Sequence, residues 1–441
     1  MSVRNDRQDE MSHSDTPSDW LVSLRRDLHR HPEPAWREFY TTSRIVDELE
    51  TIGVDELLVG SEFIDPGTRI GVPEQAEIDR WDETARHAGA REDVLDRTAD
   101  GVTGVLAVVR AGDGPTIGLR VDIDGLPRSE SESDDHVPTA EGFRSETDAM
   151  HACGHDAHAT VGVGVIESIV NESAFEGTLK VVFQPAEEVI GGGKAVAESG
   201  QLDDCDHLLA THVGLDHPTG EVVAGIDGFL AVHHFAATFT GESAHAGSHP
   251  NEGANAVQAV AAAVENLYAI PRHEDGATRV NAGVIEGGSA PNIIPETARF
   301  EGEVRGETTE LKEYMREHAT RVVKNAAAMH GCEVDIDAVG DAPSARSDDA
   351  IVDIVEDVAR ESDGVETVLR RDDLGGSEDA TYLMQRVQDN GGTAAYVGIG
   401  TDHPGGHHTA TFDVDEASVG IGVDVLTESI RRLAVGSNAE R

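Results

Sequence analysis

Short apolar runs with the length of β-strands alternate with helical segments along much of the chain. Residues 178–183 and 208–213 have the composition of strands, and residues 161–170 and 193–199 have helical periodicity. Repeats of strand, helix and strand predict a mostly parallel sheet with helices on both faces. Reactive groups in such sheets gather just past the carboxyl ends of the strands. We therefore expect an α/β domain whose functional side chains lie at that edge.

The pattern changes in the second half of the chain. Strand and helix signals follow one another there in the order βαββαβ, at 235–240, 254–268, 279–286, 298–305, 310–329 and 332–338. This order is typical of a ferredoxin-like module. We predict a discontinuous catalytic domain at 17–228 and 342–441, with the module inserted at 229–341 and a flexible N-terminus at 1–16. Residues 74–98 are charged with sparse apolar positions, which indicates an exposed helical insertion.

The charge of the chain restricts its partners. There are 84 Asp and Glu residues against 34 Lys and Arg, a formal net charge of -50. A phosphate backbone would be repelled, so nucleic acid is not an expected partner. The acids are spread along the whole chain and arginine outnumbers lysine, a composition that resembles proteins of salt-loving archaea. Because strong salt screens self-repulsion, we expect the fold to loosen when salt is removed.

The sequence also predicts the cellular location of the protein and the redox state of its cysteines. Residues 1–20 are polar without the apolar run of a signal peptide, and no apolar stretch has the length of a membrane span. We expect a cytoplasmic protein without a membrane partner. The few cysteines, Cys153, Cys205 and Cys332, are odd in number, which favours reduced thiols over disulfides. A reduced cysteine can serve as a metal ligand.

The densest chemical signal is the segment 150–158, MHACGHDAH. Cys153 and His155 can face the same point from a loop, since Gly154 between them imposes few backbone restrictions. The alternatives are a capped helix start with incidental histidines, or a Cys-His protease pair. Members of such a pair are usually distant in sequence, whereas these two are nearly adjacent. The segment therefore favours a metal site.

Three further signals follow strands. Glu187 and Glu188 come after the strand at 178–183, where one carboxylate could hold a metal and the other a proton. In so acidic a chain this pair alone would indicate a solvated surface. His212 closes the apolar run 208–213 and by itself could equally be a core histidine. His407 and His408 lie in a glycine-rich loop after a strand at 394–400, which suits a ligand better than a core position.

These segments resemble the superfamily of metal-dependent aminoacylases, hippurate hydrolases, auxin-conjugate amidohydrolases and glutamate carboxypeptidases. The resemblance runs from about residue 24 to residue 433 and rests on an ordered set of motifs: MHACGHDAHAT, FQPAEE, THVG, AHAG, NIIP, GSEDA and His408. An insertion that begins TRIGVP, together with the ending GHH before Phe412 and Asp413, is similar to the p-aminobenzoyl-glutamate hydrolase branch. The resemblance implies a zinc-exopeptidase-like catalytic domain and a dimerisation or lid role for the inserted module.

The resemblance also implies a role for each site residue. Two divalent ions would be bound by one set of ligands, Cys153, His155, Glu188, His212 and His408. Glu187 would be the general base, and His245 would reach the active site of a partner protomer. Asn292 and Arg305 would hold the substrate carboxylate. His407 is an alternative to His408, although the spacing to Phe412 favours His408.

The expected activity is hydrolysis of the amide bond of an N-acyl amino acid, p-aminobenzoyl-glutamate or a similar compound, by metal-activated water. Thiolate and imidazole ligands favour zinc, whereas the resemblance implies manganese. A homodimer is expected, and a complex with a related second chain is the alternative. Two other functions stay open: a dipeptidase or carboxypeptidase of the same superfamily, and a non-catalytic subunit of a paired hydrolase.

Overall fold

The computed structural model describes residues 18–171, 175–403 and 405–436, so the predicted flexible N-terminus at 1–16 lies outside the described residues. The α-helices in these ranges are α1 (Asp19–Arg30), α2 (Phe39–Ile52), α3 (Gln75–Ala88), α4 (Glu92–Leu95), α5 (Val137–Glu141), α6 (His155–Asn171), α7 (Gly192–Glu198), α8 (Ala256–Tyr268), α9 (Thr309–Met329), α10 (Asp349–Glu361), α11 (Ala380–Asp389) and α12 (Ala417–Gly436). The β-strands are β1 (Glu56–Val59), β2 (Val105–Arg110), β3 (Thr116–Asp122), β4 (Thr178–Gln184), β5 (His207–Val213), β6 (Glu221–Val223), β7 (Ile226–Asp227), β8 (Ala231–Thr240), β9 (Ala244–His245), β10 (Thr278–Gly287), β11 (Ile293–Ile294), β12 (Thr297–Gly306), β13 (Glu333–Ala342), β14 (Thr367–Leu369), β15 (Asp372–Asp373) and β16 (Thr393–Ile399).

The larger sheet has the strand order β1-β2-β4-β3-β5-β16-β6-β14. Its central strands β4, β3, β5 and β16 are parallel, while β2 is antiparallel to β4 and β6 is antiparallel to β16. Apolar side chains fill both faces of the sheet: Leu119 and Val163 belong to one buried cluster, and Leu208 and Leu383 belong to the other. The prediction of a mostly parallel α/β sheet is confirmed.

The parallel strands bring distant segments to one edge. Strand β3 ends at Asp122, β4 ends at Gln184 and β5 ends at Val213. Since neighbouring parallel strands point the same way, the segments that follow them emerge side by side. Three of the side chains predicted from the sequence, Glu187, Glu188 and His212, lie in or just after these strand ends.

A second sheet contains the strands β10-β12-β8-β13, and all neighbours in it are antiparallel. Helices α8 and α9 pack on it around a separate core that includes Phe239, Val260 and Met315. Its chain order and strand order are those of a ferredoxin-like βαββαβ module. The sheet begins at Ala231 and ends at Ala342. The division into domains at 229 and 341 stays a prediction.

The insertion expected at 74–98 is helical but is not simply exposed. Helix α3 buries Ile78, Trp81 and Ala85 in a small apolar cluster with Phe39 of α2 and Leu95 of α4. Its charged residues lie on the outer face. The sequence expectation of an exposed insertion is therefore wrong for the inner face, because its few apolar residues recur at helical spacing and pack inward. In the described ranges, no helix combines the length and the apolar character needed to cross a membrane.

Candidate active site

The predicted ligands come together past the carboxyl ends of the parallel strands. Cys153 lies in the loop before α6, His155 opens α6 and His212 lies in β5. Glu188 follows β4, and His408 follows β16. Their ligand atoms form overlapping groups whose members lie within 4.8 Å of one another: Cys153 with His155 and His212, Cys153 with Glu188 and His408, and His155 with Glu187 and Glu188.

Glycine between the first two ligands is required by the backbone. Gly154 has a φ of 86°, in the left-handed region where other residues are strained. A Cβ atom at this position would lie 2.6 Å from Cγ2 of Val213. The turn therefore lets α6 begin tightly against β5 while Cys153 and His155 both face the cluster.

The ring of His212 is oriented for metal binding by its neighbours. Its Nδ1 lies 2.7 Å from the carbonyl oxygen of Val213, so Nδ1 donates a hydrogen bond and Nε2 keeps its lone pair. That Nε2 lies 3.4 Å from Sγ of Cys153. Burial holds the pKa of His212 well below its usual value, which favours the neutral imidazole that binds metals.

Polar atoms in this cluster are buried without hydrogen bonds. Both ring nitrogens of His155 and Oε1 of Glu188 have no hydrogen-bond partner among the described residues. Burial and the nearby charges of Asp124 and Asp122 raise the pKa of Glu188 to about 8, although His155 opposes them. Burial and Glu188 also raise the pKa of the Cys153 thiol. Unsatisfied imidazole and carboxylate donors beside a thiol are a set that fits divalent cations.

Glu187 lies next to this set on an unusual backbone. Ala186 has a φ of 59°, a strained value for a residue with a Cβ. Its N–H donates to Oε1 of Glu38 at 2.8 Å, and the N–H groups of Glu187 and Glu188 donate to the two oxygens of Asp124 at 3.0 Å. The buried carboxylates of Glu38 and Asp124 thus bind three consecutive backbone N–H groups. These bonds fix the directions in which the side chains of Glu187 and Glu188 point.

The carboxyl group of Glu187 is suited to holding a proton. Burial, and then the nearby carboxylates Glu378, Asp379 and Glu188, raise its pKa well above the usual value. Glu187 also belongs to a group with Asp122 and Glu378 whose oxygens lie within 4.8 Å of one another. A buried carboxyl group beside a ligand cluster can act as an acid or a base.

The sequence pattern of peptidase family M20/M25/M40 matches residues 118–432. The chain belongs to this family. It is 39% identical over 416 residues to a homolog of a p-aminobenzoyl-glutamate hydrolase chain in Haemophilus influenzae, which covers 94% of this chain and 98% of that protein. It is also 39% identical over 410 residues to the indole-3-acetyl-aspartic acid hydrolase of Enterobacter agglomerans, with 92% and 94% covered. An aminobenzoyl-glutamate utilization protein from Klebsiella pneumoniae has a crystal structure that matches with a TM-score of 0.82 at 32% identity, covering 98% of both chains.

The structure shows site residues of this M20/M25/M40 member that the sequence reasoning missed. Asp122, at the end of β3, forms a short contact with Nδ1 of His158 and lies 3.6 Å from Nε2 of His155. Nε2 of His158 in turn accepts from the N–H of Val213 at 2.8 Å. Buried Arg120 pairs with Asp122 at 2.8 Å. The signal was the alternation of charged residues at positions 120 and 122 of an otherwise apolar strand, which places them on one face, with a further acid at position 124 just past the strand end.

The adjacent histidines His407 and His408 contact different partners. Nε2 of His407 accepts from the N–H of Leu215 at 3.0 Å, and its Nδ1 lies 3.5 Å from Sγ of Cys153. Nε2 of His408 lies 3.5 Å from Oε2 of Glu188. One nitrogen of His407 is thus occupied by the backbone, whereas His408 faces the carboxylate that is predicted to share its metal. This contact supports His408 over His407, and the assignment stays a prediction.

The predicted substrate-binding residues are not gathered at the ligand cluster of their own chain. His245 is exposed on β9, which pairs with β11, and the N–H of Ala246 donates to the carbonyl oxygen of Asn292 at 3.0 Å. Arg305 lies near the far end of β12 from this ribbon and donates to Oγ of Ser377 at 3.4 Å. The eight residue steps of extended strand from Thr297 to Arg305 span roughly 26 Å. Asn292 and Arg305 of one chain therefore cannot hold the same carboxylate.

Proposed function

We propose that this chain hydrolyses the amide bond of an N-acyl amino acid, with p-aminobenzoyl-glutamate or a similar acylated dicarboxylic amino acid as substrate. It is a hydrolase of peptidase family M20/M25/M40, and its two relatives at 39% identity are named for acyl conjugates of glutamate and of aspartate. The observation that carries the proposal is the ligand cluster, buried except at His408, with Glu187 beside it.

Each residue of the site has a proposed part in the reaction. Divalent ions at Cys153, His155, Glu188, His212 and His408 would supply a water with a pKa of about 7 and a Lewis acid for the amide carbonyl. Glu187 would accept the proton of the attacking water at its carboxylate and return it to the leaving nitrogen. The contacts of Glu38 and Asp124 with the backbone of residues 186–188 would hold Glu187 in place between these two transfers.

We propose a homodimer in which the site is completed from both protomers. Strand β10 is at the edge of the four-stranded sheet, and its Ile285 and Val284 are 58% and 44% exposed. Such an apolar edge strand is suited to pairing with a second copy. A partner could then supply His245 and Asn292, which lie too far along the sheet from Arg305 to act with it in one chain. His245 of the partner subunit would donate to the developing oxyanion.

The dimer proposal is tested by mixing two inactive variants. His245→Ala should lose roughly a hundredfold in kcat if the ring is an oxyanion donor. Refolding equal amounts of His245→Ala and Glu187→Gln should restore roughly a quarter of wild-type activity, because half of the dimers would contain one intact site. No recovery above the separate variants would show that His245 acts within its own chain or not at all. Ile285→Asp should give monomers in sedimentation with unchanged metal content.

The metal site is tested by metal content and turnover measured together. Glu187→Gln should keep its metal, two ions per chain, and lose turnover. Cys153→Ser should lower the metal content, and Cys205→Ser, which alters a buried thiol in the apolar core outside the cluster, should leave it unchanged. Full activity in Glu187→Gln would remove this residue from its role. We propose zinc or manganese, and reconstitution of the metal-free protein with each ion decides between them.

A substrate panel separates the proposed amidohydrolase from the alternatives. p-Aminobenzoyl-glutamate, other acyl amino acids and dipeptides are assayed in strong salt with added zinc or manganese. Turnover of acyl amino acids above dipeptides is expected. Dipeptide cleavage alone would indicate a peptidase, and no turnover would favour a non-catalytic subunit. We also propose adaptation to strong salt on the basis of the net charge of -50; the relatives named above are bacterial and do not bear on an archaeal source.

A further inference from the structure

One arginine beside the ligand cluster has no acidic partner. Arg128 is half-buried, its Nε is buried, and it has no ion pair or side-chain hydrogen bond with the described residues. This is unexpected in a chain with 84 acidic residues. Arginines elsewhere near the site are neutralised: Arg120 pairs with Asp122 at 2.8 Å, and Arg25 pairs with Asp156 at 2.8 Å. A guanidinium that is partly desolvated without a partner carries an unused capacity to bind an anion.

Backbone contacts place Arg128 next to the loop that carries His408. Leu126 forms a bridge with Met150, three residues before Cys153. The N–H of Ser131 donates to the carbonyl oxygen of Ala410 at 2.8 Å. Arg128 lies between these two attachments in the chain. The backbone of Arg128 is thus held between the segment just before Cys153 and the loop that carries His408.

Arg305, which is predicted to bind a substrate carboxylate, lies at a different side and is already paired. Arg305 donates to Glu303 at 2.9 Å and to Ser377 at 3.4 Å, next to Glu378 of the Glu187 group. An acyl glutamate or acyl aspartate brings two carboxylates into a site that is itself lined with carboxylates. Arg305 is predicted to hold the carboxylate common to all acyl amino acids, so the second carboxylate needs a cation of its own.

We infer that Arg128 binds the side-chain carboxylate of an N-acyl dicarboxylic amino acid and so selects glutamate or aspartate conjugates over neutral ones. This inference rests on the proposed function and narrows its substrate class. The planar fork of arginine can bind a carboxylate through two hydrogen bonds, a geometry that lysine does not reproduce. The neutral side chains of other amino acids would leave the Arg128 charge unpaired, which disfavours them.

The test compares p-aminobenzoyl-glutamate with p-aminobenzoyl-glutamine, which differ only in the side-chain carboxylate. Arg128→Gln should lower kcat/KM for the glutamate compound roughly 10- to 100-fold, mainly through KM, and leave the glutamine compound nearly unchanged. Arg128→Lys should recover part of the loss. Arg321→Gln, which alters an exposed arginine of α9, is the control and should change neither value.

The outcomes separate this inference from the proposed function. If the wild type cleaves the glutamate compound but Arg128→Gln slows both substrates equally, Arg128 acts on the cluster as a whole and the inference is wrong. It is also wrong if neither substrate is affected. If the wild type cleaves no acyl amino acid, the proposed function itself fails and the inference fails with it. Metal content measured on Arg128→Gln should equal that of the wild type, and a loss of metal would contradict a role in substrate binding.

Discussion

A buried histidine behind the site connects the stability of the fold to pH. His29 of α1 lies with Nδ1 2.8 Å from Asp156 and Nε2 3.0 Å from Glu130. Burial and the charge of Arg25 lower its pKa, but the two carboxylates outweigh them and raise it to about 9. Asp156 directly follows the candidate ligand His155, so this network ties the start of α6 to α1.

The sign and size of the effect follow from the raised pKa. The folded-state pKa of His29 is about 9, above the ordinary value of 6.5 that applies to the unfolded chain. The imidazolium therefore stabilises the fold fully below pH 6.5, and this stabilisation is lost as the pH rises through about 9. At about 1.4 kcal/mol per pH unit, the contribution of His29 to the free energy of unfolding is about 3 kcal/mol.

Urea denaturation at constant high salt, from about pH 6 to about pH 10, measures this contribution. His29→Gln removes the titrating group, so the difference in unfolding free energy between wild type and variant should shrink by about 3 kcal/mol over that range. His87→Gln, which alters an exposed histidine of α3, should keep a constant difference from the wild type. Parallel curves for His29→Gln and the wild type would refute the reasoning, because His29 would then not be charged in the folded state.

Other consequences of the structure are open to direct measurement. Trp81→Ala removes the largest side chain of the cluster between α2 and α3, where Trp81 is 4% exposed, and should cost about 3 to 5 kcal/mol in urea unfolding; a loss below 1 kcal/mol would show that α3 does not dock on α2. Gly193→Ala would place a Cβ 2.2 Å from the carbonyl oxygen of Asp379, so turnover and Tm should fall together, and an unchanged Tm would contradict the close approach. With a net charge of -50, the Tm should rise steadily with added KCl, and a Tm independent of salt would contradict the role assigned to self-repulsion.

The sequence allowed prediction where residue type and position were both informative. Cys153, His155 and His212 are metal-ligand types at strand ends or helix starts, and the structure brings them together. The long helices and the central strands were predictable because their apolar residues recur with clear periods. Strands β6 and β14 have only three residues each and contain no period that could have identified them.

The acidic residues of the site were harder to predict because acids are everywhere in this chain. Glu38 looks no different in the sequence from many surface acids, and Asp122 and Asp124 are distinguished only by their alternation with Arg120. Their burial and their contacts depend on the pairing of β3 with β4 and on the packing of α2, which no local pattern specifies. The separation of Asn292 from Arg305 was hidden for a similar reason, since most of the residues between them belong to the ten-residue strand β12. The order of the motifs identified the residues of the site but not the distances between them.

The same excess of charge makes the site depend on its cations in two ways. Glu187, Glu188 and Asp379 are buried, and burial together with the nearby charge of Glu378 raises the pKa of each. A dicarboxylate substrate would add further negative charge to this place and would be repelled by it. Divalent ions at the proposed ligands would neutralise the first excess, and Arg128 and Arg305 in their proposed roles would neutralise the second. Affinity for an acyl dicarboxylic amino acid should therefore fall when the ions are removed, even for a substrate that is not cleaved, because the repulsion acts before any bond is broken.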